Sequence, residues 1–182
     1  MATSYDVKRD VGHDVRDKRR VDKRRVGGID ITAALIAGLV AALVFLILEM
    51  ALLPLLGVSA LAPFHMIAAI VLGTEALAMP LTVGIVLTAL VAHFFLSIIY
   101  AFIVGAFINE RRAGPAVIIG LVFGLALYLI NFFVFTGAFP WFAQARNWVS
   151  VVAHLAFGAT AAIVYIRVEA GVARRGLRRQ AV

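Results

Sequence analysis

The sequence has no cysteine. Without thiols the chain can form no disulfide, no thiolate-bound metal centre, no iron–sulfur cluster and no covalently attached c-type haem. Charge is scarce as well, because Asp, Glu, Lys and Arg supply only 15% of the 182 residues whereas 63% are apolar. A water-soluble fold of this length could not bury so much apolar surface. The composition therefore excludes an ordinary soluble protein and predicts a protein of the lipid bilayer.

Sequence patterns of catalysis are also missing. The chain contains neither an HExxH zinc motif nor a glycine-rich phosphate loop, and its apolar runs hold no Ser–His–Asp set or pair of aspartates. Beyond a charged amino-terminal arm, no soluble domain is predicted that could carry other chemistry. We therefore expect no conventional enzymatic activity.

The amino-terminal arm, residues 1–28, has nine Lys and Arg against five Asp. We interpret it as solvated, either disordered or helical along the membrane surface. A basic cluster directly before an apolar run is typical of the cytoplasmic side of a span, and it attracts anionic lipid headgroups. The same placement argues against binding of nucleic acid.

Four apolar runs are each long enough to cross a bilayer, which takes about 20 helical residues. They cover residues 29–53, 81–108, 115–136 and 148–166. A cleaved signal peptide would have an apolar region of only about 7–15 residues, so the first run is interpreted as a retained span. Residues 55–79, interrupted by Pro63 and Gly73, allow only a short helix. We expect this segment to form an interfacial or re-entrant cap on the outer face.

The positions of the basic residues decide between four and five spans. With four spans and a cytoplasmic amino terminus, 16 of the 17 Lys and Arg lie on the inner side and Arg146 lies outside. A fifth span through residues 55–79 would divide them into ten and seven, against the positive-inside bias. We therefore predict an all-α membrane protein: a four-transmembrane-helix bundle at residues 29–170, followed by a basic tail at 171–182, with both termini cytoplasmic.

Small and polar residues recur on one face of each predicted span. The four stripes are Gly38, Ala42, Phe45 and Glu49; Thr82, Val86, Ala89, His93, Ser97 and Tyr100; Gly120, Gly124, Tyr128 and Asn131; and Ser150, His154, Gly158, Ala161 and Tyr165. Small residues let helices approach closely where lipid provides no hydrophobic force between them. We therefore expect the stripes to face one another.

Ionisable groups inside spans cost about 2.5–3.5 kcal/mol at mid-bilayer and therefore point to function. The candidate intramembrane polar site lies toward the outer side and consists of Glu49, His93, Asn131 and His154. Two further candidate ligands, His65 and Glu75, lie in the outer cap.

Several kinds of chemistry are open to this set of residues. Imidazoles and carboxylates can bind Zn, Cu or non-haem Fe, although no two of these residues have the spacing of a known metal motif. A b-type haem between His93 and His154 is a second option, since axial imidazoles from two helices can hold a haem. Proton transfer through Glu49 and the histidines is a third, although polar residues become few toward the inner side. In the purely structural alternative, His93 forms a hydrogen bond with Ser97 or a carbonyl, and His154 forms one with Ser150 or Asn131.

Parts of the chain resemble small multi-span membrane proteins of bacteria. The matching segments are LEMALLPLLG, PFHMIAAIVLG, HFFLSIIY and NFFVFTGAFPWFAQARNWVSVVAHLAFG. The resemblance covers about residues 29–165, including Arg146 and Asn147 next to the last predicted span. It implies a location in the bacterial inner membrane and assigns no activity.

A chain with much membrane and little chemistry is most consistent with a non-catalytic accessory or scaffold subunit. Its contacts would be the lipid bilayer and either partner subunits or further copies of the chain. A haem- or metal-binding membrane protein is the alternative, and a proton-coupled transporter or channel is the second alternative.

Overall fold

A computed structural model describes residues 25–26, 28–108 and 112–180. Two short antiparallel strands, β1 (Arg25–Val26) and β2 (Ile29–Asp30), precede the helices. The helices are α1 (Ile31–Leu52), α2 (Ala62–Leu72), α3 (Val83–Phe107), α4 (Ala113–Leu129) and α5 (Trp148–Gln180). Most of the predicted basic arm, residues 1–24 and 27, lies outside the described residues, as do residues 181–182 of the predicted tail.

Short irregular turns extend or connect these helices. One 3₁₀ turn, Leu53–Leu56, continues α1, and another, Thr74–Leu77, follows α2. Helix α4 ends in a single turn of π-helix at Ile130–Val134, which leads into two 3₁₀ turns, Phe135–Gly137 and Pro140–Ala145.

Within the described residues, four helical stretches are long and apolar enough to cross a membrane. They run over Ile31–Leu56, Val83–Phe107, Ala113–Gly137 and Trp148–Arg175, and each overlaps one of the four predicted runs. Helix α2 is too short to cross, as Pro63 and Gly73 predicted. The expectation of four long apolar helices is therefore confirmed. Helix α5 continues beyond residue 166, through the first part of the segment assigned to the tail.

Side-chain caps satisfy the first backbone N–H groups of three helices. The Asp30 carboxylate accepts from the Ala33 amide of α1 at 2.9 Å, and the Thr82 hydroxyl accepts from the Ile85 amide of α3 at 3.3 Å. The side-chain oxygen of Asn147 accepts from the Ser150 amide of α5 at 3.1 Å. Such caps matter most where hydrocarbon offers the backbone no alternative partner.

Many of the buried positions hold alanine, whereas large apolar side chains cover the outward faces of α1 and α3. In α1 the buried residues include Ala33, Ala37 and Ala41, whereas the exposed face carries large aliphatic side chains. In α3 the exposed residues repeat every fourth position: Val83, Leu87, Val91, Phe95, Ile99, Ile103 and Phe107. Apolar outer faces around a small-residue interior are typical of helices packed in lipid, where close backbone approach replaces hydrophobic burial.

The helices pack unequally along their length. Helix α5 packs extensively against α1 and α4, and α3 packs against α1 and α2, whereas α3 and α4 have little contact. The end of the bundle that carries β1 and β2 is called the strand end, and the opposite end is called the cap end. At the strand end, Ala101 of α3 and Ala116 of α4 share one apolar cluster. At the cap end, α3 packs instead on α2 through Phe64, Ala68 and Ile85. Space is therefore left between α3 and α4 at the cap end.

Candidate functional site

A cavity of about 360 Å³ occupies the cap end between α3 and α4. Helix α2 and the segment from Phe135 to Ala145 contribute to its wall, along with α1 and α5. Its apolar lining includes Phe45, Met66, Leu127, Phe132, Phe135, Phe139, Phe142 and Phe157. Its polar lining consists of Glu49, His93, Ser97, Tyr100, Asn131 and His154. All four residues of the predicted intramembrane polar site therefore lie on the wall of one cavity.

A chain of hydrogen bonds connects four helices on one side of this cavity. The Tyr100 hydroxyl of α3 donates to the side-chain oxygen of Asn131 at 3.5 Å. The Asn131 amide nitrogen lies 3.2 Å from Nε2 of His154, and Nδ1 of His154 lies 2.7 Å from the Ser150 carbonyl oxygen. The Ser150 hydroxyl donates to Oε1 of Glu49 at 3.0 Å.

These partners determine which ring nitrogen of His154 carries the proton. A carbonyl oxygen only accepts hydrogen bonds, so Nδ1 facing the Ser150 carbonyl is the donor. Nε2 is then free to accept from the amide of Asn131, whose oxygen in turn accepts from Tyr100. Each bond in the chain has one donor and one acceptor. The expectation that His154 bonds Ser150 or Asn131 is confirmed, because it bonds both.

The local backbone structure places Asn131 where it can join the chain of hydrogen bonds. Asn131 lies in the single π-helical turn at the end of α4, and such turns recur at functional sites because they interrupt the regular side-chain spacing. Tyr100 reaches Asn131 because helical side chains lean toward the amino terminus of their helix, which for α3 is the cap end.

His93 has its own partner on the neighbouring helix. Its Nε2 lies 3.1 Å from the Ala42 carbonyl oxygen of α1. The bond to a carbonyl that the structural alternative named is therefore present at this residue. The Phe45 ring contacts both histidines, with centroid distances of 5.4 Å to His93 and 4.9 Å to His154.

This arrangement does not support the metal and haem hypotheses. No three His, Asp or Glu side chains within residues 28–108 and 112–175 are placed to hold a metal ion. Both ring nitrogens of His154, and Nε2 of His93, already have protein partners. An iron coordinated by both imidazoles would have to replace one of the two bonds of His154.

The two candidate cap ligands lie away from the cavity wall. His65 uses Nε2 to contact the Met79 carbonyl oxygen at 3.1 Å, and Glu75 is exposed on the turn Thr74–Leu77. Neither residue lines the cavity. The structure therefore does not bring the cap residues together with the intramembrane set.

The segment after the π-helical turn is anchored by two side chains. The Trp141 indole donates to the Met66 carbonyl oxygen of α2 at 3.0 Å. Arg146 donates to the Phe132 carbonyl oxygen at 2.7 Å and to the Thr136 hydroxyl at 3.1 Å, and its guanidinium lies 4.6 Å from the centre of the Phe133 ring. Arg146 thus has a structural role that the sequence did not reveal.

Sequence reasoning missed three contributors to the site. Ser150 and Tyr100 were assigned to helix faces but not to the polar set, although each lies on the same stripe as a predicted site residue. Phe45 lies one turn before Glu49 on its stripe, which is the signal that could have placed it beside the histidines. The periodicity of the predicted spans gives no indication that residues 135–142 form an aromatic part of the cavity wall.

A comparison with protein-family models, with curated proteins and with solved structures finds no match.

Proposed function

We propose that this chain is a non-catalytic accessory protein of the bacterial inner membrane that binds a small, mainly apolar molecule in the cavity between α3 and α4. Its four long helices form a transmembrane bundle with both termini in the cytoplasm and the cap end toward the outer side. Its other contacts are the lipid bilayer, anionic headgroups at its basic ends, and partner subunits or further copies of the chain.

The cavity is the observation that carries this proposal. Protein interiors are close-packed, and voids larger than a water molecule are few. A cavity of about 360 Å³ is within the size range of small-molecule sites, which is about 300–1,000 Å³. Its lining also fits that class, because apolar and aromatic side chains dominate and a few polar groups converge on one side.

The position of the cavity favours a ligand that comes from the bilayer. Helices α3 and α4 flank it, have little contact with each other, and carry large apolar side chains such as Phe95 and Phe133 on their exposed faces. In the proposed orientation these faces contact lipid tails. A molecule dissolved in the membrane would therefore reach the cavity without crossing water.

The interior below the cavity favours a binding site over a continuous path for protons. Between the hydrogen-bonded chain and the strand end, many buried positions are filled by alanines such as Ala37, Ala101 and Ala162, whose side chains can neither donate nor accept protons. Buried polar side chains return at the strand end, among them Asp30, Tyr165 and Glu169. The polar groups therefore serve a ligand better than they serve conduction across the membrane.

Filling the cavity tests the proposal. The chain is reconstituted in lipid nanodiscs, and binding of the neutral fluorophore N-phenyl-1-naphthylamine is measured after subtraction of empty nanodiscs. Ala145 lines the cavity, whereas Ala143 on the same 3₁₀ turn is exposed and does not. We expect Ala145→Trp to weaken binding at least tenfold and Ala143→Trp to leave it unchanged. Equal binding by the two variants, or no binding by the unsubstituted chain, would overturn the proposal.

A further inference from the structure

The charge on the cavity wall narrows the class of ligand. Glu49 contributes a carboxylate to the lining, and among the described lining residues there is no Lys or Arg. Arg146 follows the lining residue Ala145 but is exposed and bonded to Phe132 and Thr136. An anionic molecule such as a fatty acid or a lipid phosphate would meet a carboxylate and no cation, so the wall selects against it.

Glu49 itself lacks a countercharge in the described part of the chain. Glu49 is 7% exposed, and its carboxylate accepts a hydrogen bond from the neutral hydroxyl of Ser150. Buried carboxylates in proteins are normally paired with a cation or with several donors. A positively charged group in the cavity would supply what the protein does not.

The remaining wall suits a cation as well. Rings of Phe45, Tyr100, Phe132 and Phe157 surround the polar side of the cavity, and aromatic faces attract cations through their quadrupoles. The attraction is strongest where water is excluded. Aromatic rings together with a carboxylate recognise organic ammonium groups, whereas a small inorganic cation would need several oxygen ligands.

We propose that the cavity binds an organic cation with apolar substituents, an amine or quaternary ammonium compound, whose charge lies beside Glu49 and whose substituents lie against the phenylalanines. This inference rests on the proposed function, since it names the ligand class of the same cavity. The gap between α3 and α4 gives such a lipid-soluble cation a route from the bilayer.

The test uses two probes of the same shape and opposite charge, tetraphenylphosphonium and tetraphenylborate. Each is titrated separately by calorimetry into nanodiscs of zwitterionic lipid that contain the chain, with empty nanodiscs as the blank. We expect saturable binding of the phosphonium that is at least tenfold tighter than binding of the borate. Equal affinities, stronger binding of the borate, or no binding of the phosphonium would overturn the cation proposal.

Substitution of the carboxylate provides the second arm. We expect Glu49→Gln to weaken phosphonium binding at least tenfold. Glu75→Gln, which removes an exposed carboxylate outside the cavity, should leave it unchanged. Phosphonium binding that is the same in Glu49→Gln as in the unsubstituted chain would contradict the proposal. If Glu49→Gln fails to fold, the comparison of phosphonium with borate in the unsubstituted chain remains the test of the proposal.

Binding of the neutral fluorophore separates the two proposals. If it still binds in an Ala145-dependent manner while the charged probes show no preference, the cavity binds ligands but not by charge. If the fluorophore also fails to respond to Ala145→Trp, the proposed function fails together with the cation inference.

Discussion

At the level of single residues, His154 is held through both of its ring nitrogens. It is 3% exposed, and its two bonds connect the backbone of its own helix to Asn131 on α4. Buried polar groups contribute little net stability when paired but are costly when one partner is removed. The hydrogen-bonded chain is therefore expected to respond unequally to the loss of its different members.

Replacing Asn131 tests this asymmetry. Asn131→Leu leaves Nε2 of His154 without its donor, and we expect the free energy of unfolding to fall by about 1–3 kcal/mol. Tyr100→Phe removes a bond of 3.5 Å, at the long limit for a hydrogen bond, and should cost less than about 1 kcal/mol. Reversible unfolding of both variants by detergent titration gives the comparison. A larger loss in Tyr100→Phe than in Asn131→Leu would contradict the donor and acceptor assignment for His154.

At the level of the helices, glycines determine how closely α4 and α5 approach. A Cβ atom added at Gly158 would lie 2.9 Å from the backbone nitrogen of Gly124 and closer still to the carbonyl oxygen of Gly120. Because the obstacle is backbone, no side chain can rotate away to make room. Gly120 and Gly124, which form the G-x-x-x-G motif of α4, thus pack directly against Gly158 of α5.

Two substitutions on α5 separate this contact from general helix propensity. We expect Gly158→Ala to destabilise the protein by about 1–3 kcal/mol through overpacking. Gly171→Ala, on the same helix with open space around it, should be neutral or stabilising by about 1 kcal/mol, because alanine favours helix. Thermal unfolding followed by circular dichroism provides the measurement. Equal effects at the two positions would show that the close approach of α4 and α5 does not limit stability.

The helices were predictable from the sequence, whereas much of the cavity was not. Runs of apolar residues predict four long helices because a bilayer imposes a minimum length, and the predicted faces are buried at Gly38, Gly120 and His154. The sequence did not predict that residues 135–145 line the cavity. Their position depends on contacts between distant segments, such as the indole of Trp141 on the carbonyl of Met66, and periodicity holds no information about such contacts.

His93 and His154 were assigned to one candidate site from the sequence, and the structure places both rings in contact with Phe45. The face that each helix turns toward its neighbours depends on tertiary packing, and it has to be known before residues on separate stripes can be assigned to one contact.

At the level of the whole molecule, charge is distributed unequally between the two ends. Of the described basic residues beyond the strands, Arg146 belongs to the cap end, and the others belong to the strand end: Arg112, Arg167, Arg174, Arg175, Arg178 and Arg179. The two tryptophans, Trp141 and Trp148, lie at the cap end, and aromatic belts of this kind favour a membrane interface. Under the positive-inside bias, this distribution supports the proposed orientation, with the strand end toward the cytoplasm.

The absence of cysteine makes this orientation directly measurable. Single cysteines placed at exposed positions report the side on which they lie through reaction with a membrane-impermeant maleimide, and the unsubstituted chain serves as the unreactive control. We expect Ser59→Cys and Ala143→Cys at the cap end to react in intact bacterial spheroplasts. Gly114→Cys and Arg174→Cys at the strand end should react only after permeabilisation. The reverse pattern would invert the proposed orientation. Labelling of Ser59→Cys and Ala143→Cys from opposite sides would contradict the four-span threading, because α3 and α4 lie between the two positions and two crossings return the chain to the same side.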